Sequence, residues 1–177
     1  MKYISLLLLL GMAGNFPATQ IKPVSSGSSI RFTVTNLGID VSGSFSGLEG
    51  DIQYDPKKPA ATTFNVSVDA NTVNTDNTMR DDHLRADTYF DIKKYPRISF
   101  VSTKVEPSPE KGFFTVSGKL RIKNTTRDIS FPFTVEPSNG GYLFKGNFNI
   151  NREDFGVGGY SIISDRVDLL LNVFARR

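Results

Sequence analysis

The chain has no cysteine and a single histidine among its 177 residues, and both scarcities remove chemistry from consideration. Without thiols there is no disulfide framework, so stability must come from packing and hydrogen bonding. Nor is there a cysteine to carry a bacterial lipoprotein anchor. A zinc centre needs three or four His, Cys, Asp or Glu ligands converging on one point, and one histidine is poor material for it. No serine sits in a GxSxG turn, and no glycine-rich loop leads from a strand into a helix with a lysine following. No metal, cofactor or catalytic set is therefore expected. Charge of one sign is not in excess either, with 21 Lys and Arg against 18 Asp and Glu. In the absence of a basic stripe, nucleic acid is not an expected partner.

Long apolar runs are missing with one exception. "MKYISLLLLL" sets a lysine before the run Ile4 to Leu10, with small residues at Gly11 and Ala13. This reads as a secretory signal peptide, residues 1–13, cleaved after Ala13. It is too short for a membrane span, which takes roughly 20 apolar residues. The expectation is one exported domain, 14–177, periplasmic or secreted and with no integral span.

Helical periodicity is almost absent, and what fills the chain is alternation with a period of two. Ile30, Phe32 and Val34 share one face of "SSIRFTVTNLG"; Phe64, Val66 and Val68 share one in "TFNVSVDA". The pattern recurs with Ile98 and Phe100, with Phe114, Val116, Leu120 and Ile122, and with Ile129, Phe131, Phe133 and Val135. It closes with Tyr142, Phe144, Phe148 and Ile150, then Val167, Leu169, Leu171 and Val173. Turn formers separate these segments at Asp55-Pro56, Pro107 to Gly112, Asn124-Thr125 and Asn139-Gly140-Gly141, which favours antiparallel hairpins. Strands apolar on one side only must curl or pair to hide that side. The expected fold is all-β, an antiparallel barrel of about eight strands. Pro132 cannot donate to a ladder, so its strand should be an edge or bulged there. Fourteen phenylalanines, many on the inward face, either fill the barrel or line a cavity in it.

The segment from Asn71 to Pro96 interrupts the alternation. Asp76 or Asn77 can cap a short helix through Leu84, and Asp87 can cap a second, shorter turn presenting Tyr89 and Phe90. One or two short helices between residues 76 and 90 should cross one end of the barrel.

The stretch "VDANTVNTDNTMRDDHLRADTYFDIKKYPRISFVST", with "VSGKLRIKNTTRDISFPF" and "NREDFGVG", closely resembles the YceI-like family of secreted bacterial proteins, over about Ser28 to Phe174. Its signature here is RD-x-HL followed by F-D-x-x-x-YP-x-I-x-F-x-S-T. Two family histidines are absent, since Gly27-Ser28-Ser29-Ile30 and Thr35-Asn36-Leu37-Gly38 stand where they commonly occur. The resemblance implies an extended, lipocalin-like barrel that holds a long apolar chain, such as a polyisoprenoid, an isoprenoid quinone, a fatty acid or a fatty amide. It favours a cavity over a filled core and a carrier or storage role. A homodimer stays open.

On that reading the lining comprises Phe32, Val34, Leu37, Phe45, Phe64, Val66, Met79, Leu84, Phe90, Ile98, Phe100, Val116, Leu120, Phe131, Phe133, Phe144, Phe148, Phe155 and Ile162. Arg80, His83 and Tyr89 are candidates for the rim, where a ligand's polar head would lie, although His83 reads first as a hydrogen-bonded residue that fixes this connection. Asp81 and Arg85, with Arg80, have the spacing to pair with one another or with strand-end backbone and pin the helix. Arg152 and Asp154 would pair across a strand end. Two rivals remain: an outer-membrane barrel, whose apolar band would have to face outward, and an enzyme acting on a lipid in the same cavity. A structural envelope protein with a filled core is the bland alternative.

Overall fold

The computed structural model describes residues 19–159 and 162–177; the expected leader and its cleavage point, and Tyr160 in the second glycine-rich stretch, lie outside the described residues. The elements run β1 (Thr19–Pro23), β2 (Ser29–Asn36), β3 (Ile39–Tyr54), β4 (Thr63–Asn74), α1 (Thr78–Arg85), β5 (Arg97–Pro107), β6 (Phe113–Ile122), β7 (Thr125–Ser138), β8 (Gly141–Asn151) and β9 (Ile163–Arg176). Strands β2 to β9 form a closed antiparallel ring of eight, shut by the β3–β4 and β2–β9 pairings. β1 lies between β3 and β9 in line with β2, so β1 and β2 are two pieces of one stave.

Alternation explains the wall. In β2, Ile30, Phe32 and Val34 turn inward, while Thr33 bonds Ser42 at 3.1 Å and Thr35 donates to Asp40 at 2.8 Å on the outer side. The outer surface also carries the ion pairs Lys104–Glu106, Lys119–Asp128 and Lys145–Glu136. A lipid-facing band would have the opposite polarity. Among the described residues no helix is long and apolar enough to cross a membrane.

Two-residue turns join β2 to β3 through Leu37-Gly38 and β7 to β8 through Asn139-Gly140, all four residues at positive φ. That matches the right-handed twist of the flanking strands. Gly43 is needed for a different reason. A Cβ there would lie 2.4 Å from Phe32 Cζ and 2.8 Å from Thr75 Cγ2, so its bare Cα gives the Phe32 ring room to lie across β3.

The ring is zipped unevenly. β7 and β8 pair only from Phe133↔Gly146 to Ser138↔Gly141, and Pro132, with no N–H to give, stands where that ladder stops. Above it the two strands part, and the 3-10 turn Glu153–Phe155 packs against β7. Phe155, 2 % exposed, is wedged among Leu120, Ile122, Ile129 and Ile150. Among the described residues the closed barrel thus has no edge strand, and the expected irregularity at Pro132 takes the form of a seam filled by an aromatic side chain.

Candidate ligand cavity

The inward face is used differently at the two ends. At the lower end, where β3 leads into β4 and β7 turns into β8, it is filled. Ile21, Ile52, Tyr54, Val105, Val116, Phe131, Phe133, Phe144 and Ala175 form one buried cluster, with Phe64, Phe114 and Tyr142 against it. Edge-to-face pairs at centroid distances of 5.5 Å join Phe64 to Phe133 and to Phe144, the geometry that aromatic quadrupoles prefer. Burial keeps the Tyr54 hydroxyl protonated to higher pH than an ordinary tyrosine, with Tyr142 and Asp55 adding to the shift. The top of this plug is Phe131 stacked on Phe148 at 4.0 Å.

Above the plug lies a cavity of about 230 Å³. Its wall is almost wholly apolar: Ile30, Phe32 and Val34 from β2, Phe45 and Leu48 from β3, Val66 and Val68 from β4, Ile98 and Phe100 from β5, Leu120 and Ile122 from β6, Ile129 and Phe131 from β7, Phe148 and Ile150 from β8, and Ile163, Val167, Leu169, Leu171 and Val173 from β9. Ser67 and Ser99 touch it as well. Leu84, Tyr89, Phe90 and Val157 close it from above. Phe90 reaches Phe45 edge-to-face at 5.4 Å, and Phe45 meets Phe32 at 5.5 Å.

This cover is held by polar bonds made outside the cavity. Asn77 caps α1 by accepting from the Arg80 N–H at 3.0 Å. Asp81, 5 % exposed, accepts from the N–H and hydroxyl of Thr75 at 2.9 and 2.5 Å. Arg80 donates to the Thr75 hydroxyl and carbonyl, and Arg85 to the Asn71 and Val73 carbonyls. All three side chains thus anchor α1 to the end of β4, by bonds to the strand and not to one another. Lys123 bridges the two halves of the cover, donating to Asp87 O and Gly156 O, and the Gly158 N–H donates to Thr88 O at 2.9 Å. Gly158 is itself a close-approach position, since a Cβ there would meet Tyr89 Cε1 at 2.7 Å.

Arg152 is the one charged side chain in the wall among the described residues. It is 5 % exposed, and its guanidinium is used up by the chain that wraps it. Nε donates to Ser164 O, Nη1 to Val157 O and Gly159 O, and Nη2 to Ile163 O and to Asp165 Oδ1 at 2.8 Å. It acts as a spool that fixes residues 157–159 and 163–165 against each other.

Several expected positions are corrected. Leu37 occupies the β2–β3 turn at φ 50° and is 72 % exposed, and Ile162 is 70 % exposed before β9 begins. Met79 is 73 % exposed because α1 turns Asp81 and Leu84 to the barrel, and His83 is exposed with it. Neither His83 nor Arg80 touches the cavity, whereas Tyr89 does. Phe64, Val116, Phe133 and Phe144 point inward but lie in the lower plug, and Phe155 fills the seam. Arg152 pairs with Asp165 instead of Asp154, whose carbonyl accepts from Arg127. The segment between residues 76 and 90 forms one helix, α1, and residues 87–90 make the shorter turn that presents Tyr89 and Phe90. The aliphatic lining, above all Val167, Leu169, Leu171 and Val173 of β9, lies outside the expected set, although alternation turns it to the inward face. Among the described residues no group of three His, Asp or Glu side chains could hold a metal ion.

A closed antiparallel barrel with a packed floor and a covered apolar chamber is a lipocalin-like architecture. The YceI-like domain family matches residues 20–175, and the chain belongs to that family. A UPF0312 protein of Yersinia enterocolitica is 31 % identical over 175 residues, covering 93 % of this chain and 90 % of that protein. Among solved structures, Burkholderia cenocepacia BcnA superposes with a TM-score of 0.81 at 25 % identity, covering 86 % of this chain and 98 % of that one. A Campylobacter jejuni YceI protein gives 0.71 at 25 % identity, covering 100 % and 99 %. A polyisoprenoid binding domain from Saccharophagus degradans, implicated in plant cell wall breakdown, shares the fold with a TM-score of 0.72 at 16 % identity, covering 88 % and 97 %.

Proposed function

We propose that the protein is an exported, non-catalytic binder that encloses the apolar chain of a lipid, as carrier or store. The observation that carries this reading is the chamber above the Phe131–Phe148 floor, lined by aliphatic and aromatic side chains. Each methylene moved from water into such a lining is worth about 0.8 kcal/mol. The polar groups that touch it, Ser67, Ser99, Tyr89 and the engaged Arg152, do not compose a nucleophile with a base. That supports enclosure over turnover. The polyisoprenoid-binding domain of the same fold makes an isoprenoid chain a natural candidate, alongside fatty chains. Residues 1–13, with their lysine and leucine run, support export.

The test is native mass spectrometry of protein purified from its periplasmic or secreted fraction without detergent, followed by identification of the extracted lipid. A stoichiometric adduct of a long-chain lipid is the expected result. Protein that carries no adduct, and that also takes up no neutral apolar fluorophore, would end the proposal.

A further inference from the structure

Of the six large apolar side chains that stand exposed among the described residues, Leu37, Ile39, Met79 and Ile162 gather at the end of the barrel that α1 covers. Scattered exposed apolar residues need no explanation, but a group confined to one end does. The register shows how three of them meet. Asn36 pairs with Ile39 across the β2–β3 hairpin and with Ile163 across β2–β9, so Ile39 and Ile162 flank the turn that Leu37 begins. The β3–β4 ladder climbs only to Ser44↔Asn74, which leaves residues 39–43 of β3 paired with β2 alone. The hairpin tip therefore stands beyond the end of β4, by roughly 16 Å along the strand.

Leu37 also breaks a local rule. It opens a two-residue turn at φ 50°, a conformation that suits Asn, Asp and Gly and strains a leucine. The β7–β8 turn meets the same demand with Asn139-Gly140. Leu37 is exposed, so packing gives no reason for the leucine, and strain of this kind gathers where a surface has a task.

The patch is continuous with the chamber. Val41 pairs with Val34, which lines it, and Ile39 lies two residues further out on the same face. Ile163 lines it too, and Ile162 precedes Ile163. Three side chains on a hairpin tip present a few hundred Å² at most, well short of the about 800 Å² a side that a stable protein interface buries. A bilayer asks for no such area or complementarity, because each side chain simply exchanges water for acyl chains. Charge narrows the choice further. Residues 75–96, 123–124 and 151–159, the connections at this end, carry six Lys and Arg against seven Asp and Glu, so no basic field draws the end to anionic head groups.

We propose that the β2–β3 tip, with Ile162 beside it, is a docking point that inserts into an electrically neutral bilayer surface, so that the covered end of the barrel faces the membrane and a chain passes along Ile39 and Ile162 to the chamber. The route rests on the cavity reading above; the docking is measured apart from it.

Co-sedimentation with phosphatidylcholine vesicles tests it. Wild type should sediment with the vesicles equally at low and high salt, and added phosphatidylglycerol should not raise the bound fraction. The double variant Leu37→Asn, Ile39→Thr should partition roughly tenfold less, a fraction of what burying two aliphatic side chains is worth. Leu37→Asn creates an Asn-Gly turn, so the single variant should melt no lower than wild type, and it supplies the reading should the pair not fold. Both variants should take up the neutral fluorophore 1-N-phenylnaphthylamine from water as wild type does, since neither position lines the chamber. Wild type that stays in the supernatant, or an unchanged partition in the variants, would overturn the docking point. So would binding that needs phosphatidylglycerol and is lost in salt. A dimer in sedimentation velocity that the double variant dissolves would assign the patch to a second copy of the chain and overturn it likewise. Fluorophore uptake that fails in wild type sinks the cavity reading and the route, while the vesicles still decide the docking.

Discussion

The chamber limits how much chain it can hold, and that limit is measurable. On β9 the lining runs from Val167 through Leu169 and Leu171 to Val173, six rises of about 3.3 Å, or roughly 20 Å of strand. Strands in such barrels tilt by about 40° to the axis, leaving roughly 15 Å of depth. A hydrocarbon with C–C bonds of about 1.5 Å advances roughly 1.25 Å per bond, so about twelve carbons fit by length. Affinity in a straight-chain alcohol series should therefore rise about fourfold per carbon, from about 0.8 kcal/mol per methylene. It should flatten at roughly twelve carbons. Displacement of the neutral fluorophore, read below each alcohol's micelle concentration, gives the curve. Leu169→Trp, which puts an indole into the wall, should move the plateau to shorter chains and leave the slope before it intact. An affinity that ignores chain length, or a plateau that Leu169→Trp does not move, would refute a chain lying along the β9 wall.

Other perturbations address the frame. Gly43→Ala sets a methyl group 2.4 Å from Phe32; driving that ring into the cavity should cost about 1–3 kcal/mol in denaturant unfolding and weaken decanol binding. Arg152→Met leaves four carbonyls and Asp165 without their donor. A loss of about 3 kcal/mol in chemical denaturation, with faster fluorophore exchange by stopped flow, is expected. Asp81→Ala frees the Thr75 N–H and hydroxyl beneath α1, and should lower stability by about 1–3 kcal/mol while hydrogen exchange accelerates over α1 first. Tyr54 titrates above its ordinary value because it is buried, so the unfolded chain ionises first and stability is lost as pH rises beyond about 10. Tyr54→Phe should flatten the fall of the melting temperature in that range.

Which side of the wall a residue faces was legible in the sequence, and how deep it sits was not. Phe32, Val34, Val66, Ile98, Phe100, Leu120, Phe131 and Phe148 were chosen from alternation and resemblance and line the chamber, while Phe64, Val116, Phe133 and Phe144 satisfy the same pattern and lie in the plug. Period two separates inside from outside, but the level along the axis follows from register and stagger between strands, which depend on partners distant in sequence. Thus Phe131 and Phe133 are two positions apart on one strand, and the division between floor and plug runs between them. Local signals worked where the chemistry is local, as for the Asn77 cap and the ladder that ends at Pro132. The partners of Arg152 lie out of reach of local pattern: Val157, Gly159, Ile163 and Asp165 meet its guanidinium from later in the chain, whereas adjacency in sequence points to Asp154.

The same division accounts for how one barrel can be both stable and hollow. A void lined by apolar side chains forfeits dispersion contacts and burial, so a chamber of about 230 Å³ has to be offset elsewhere. Here the offset is concentrated at one end, in the aromatic plug around Phe133 and Phe144, and at the seam, where Phe155 replaces the missing β7–β8 ladder. The cover contributes through polar bonds at Thr75, Lys123 and Arg152, which lie on its outer side or are turned to backbone. Such bonds can be exchanged with water one at a time, and an apolar plug cannot be dismantled that way. Opening should therefore begin at α1 and leave the floor intact, so a chain enters from the end that α1 covers.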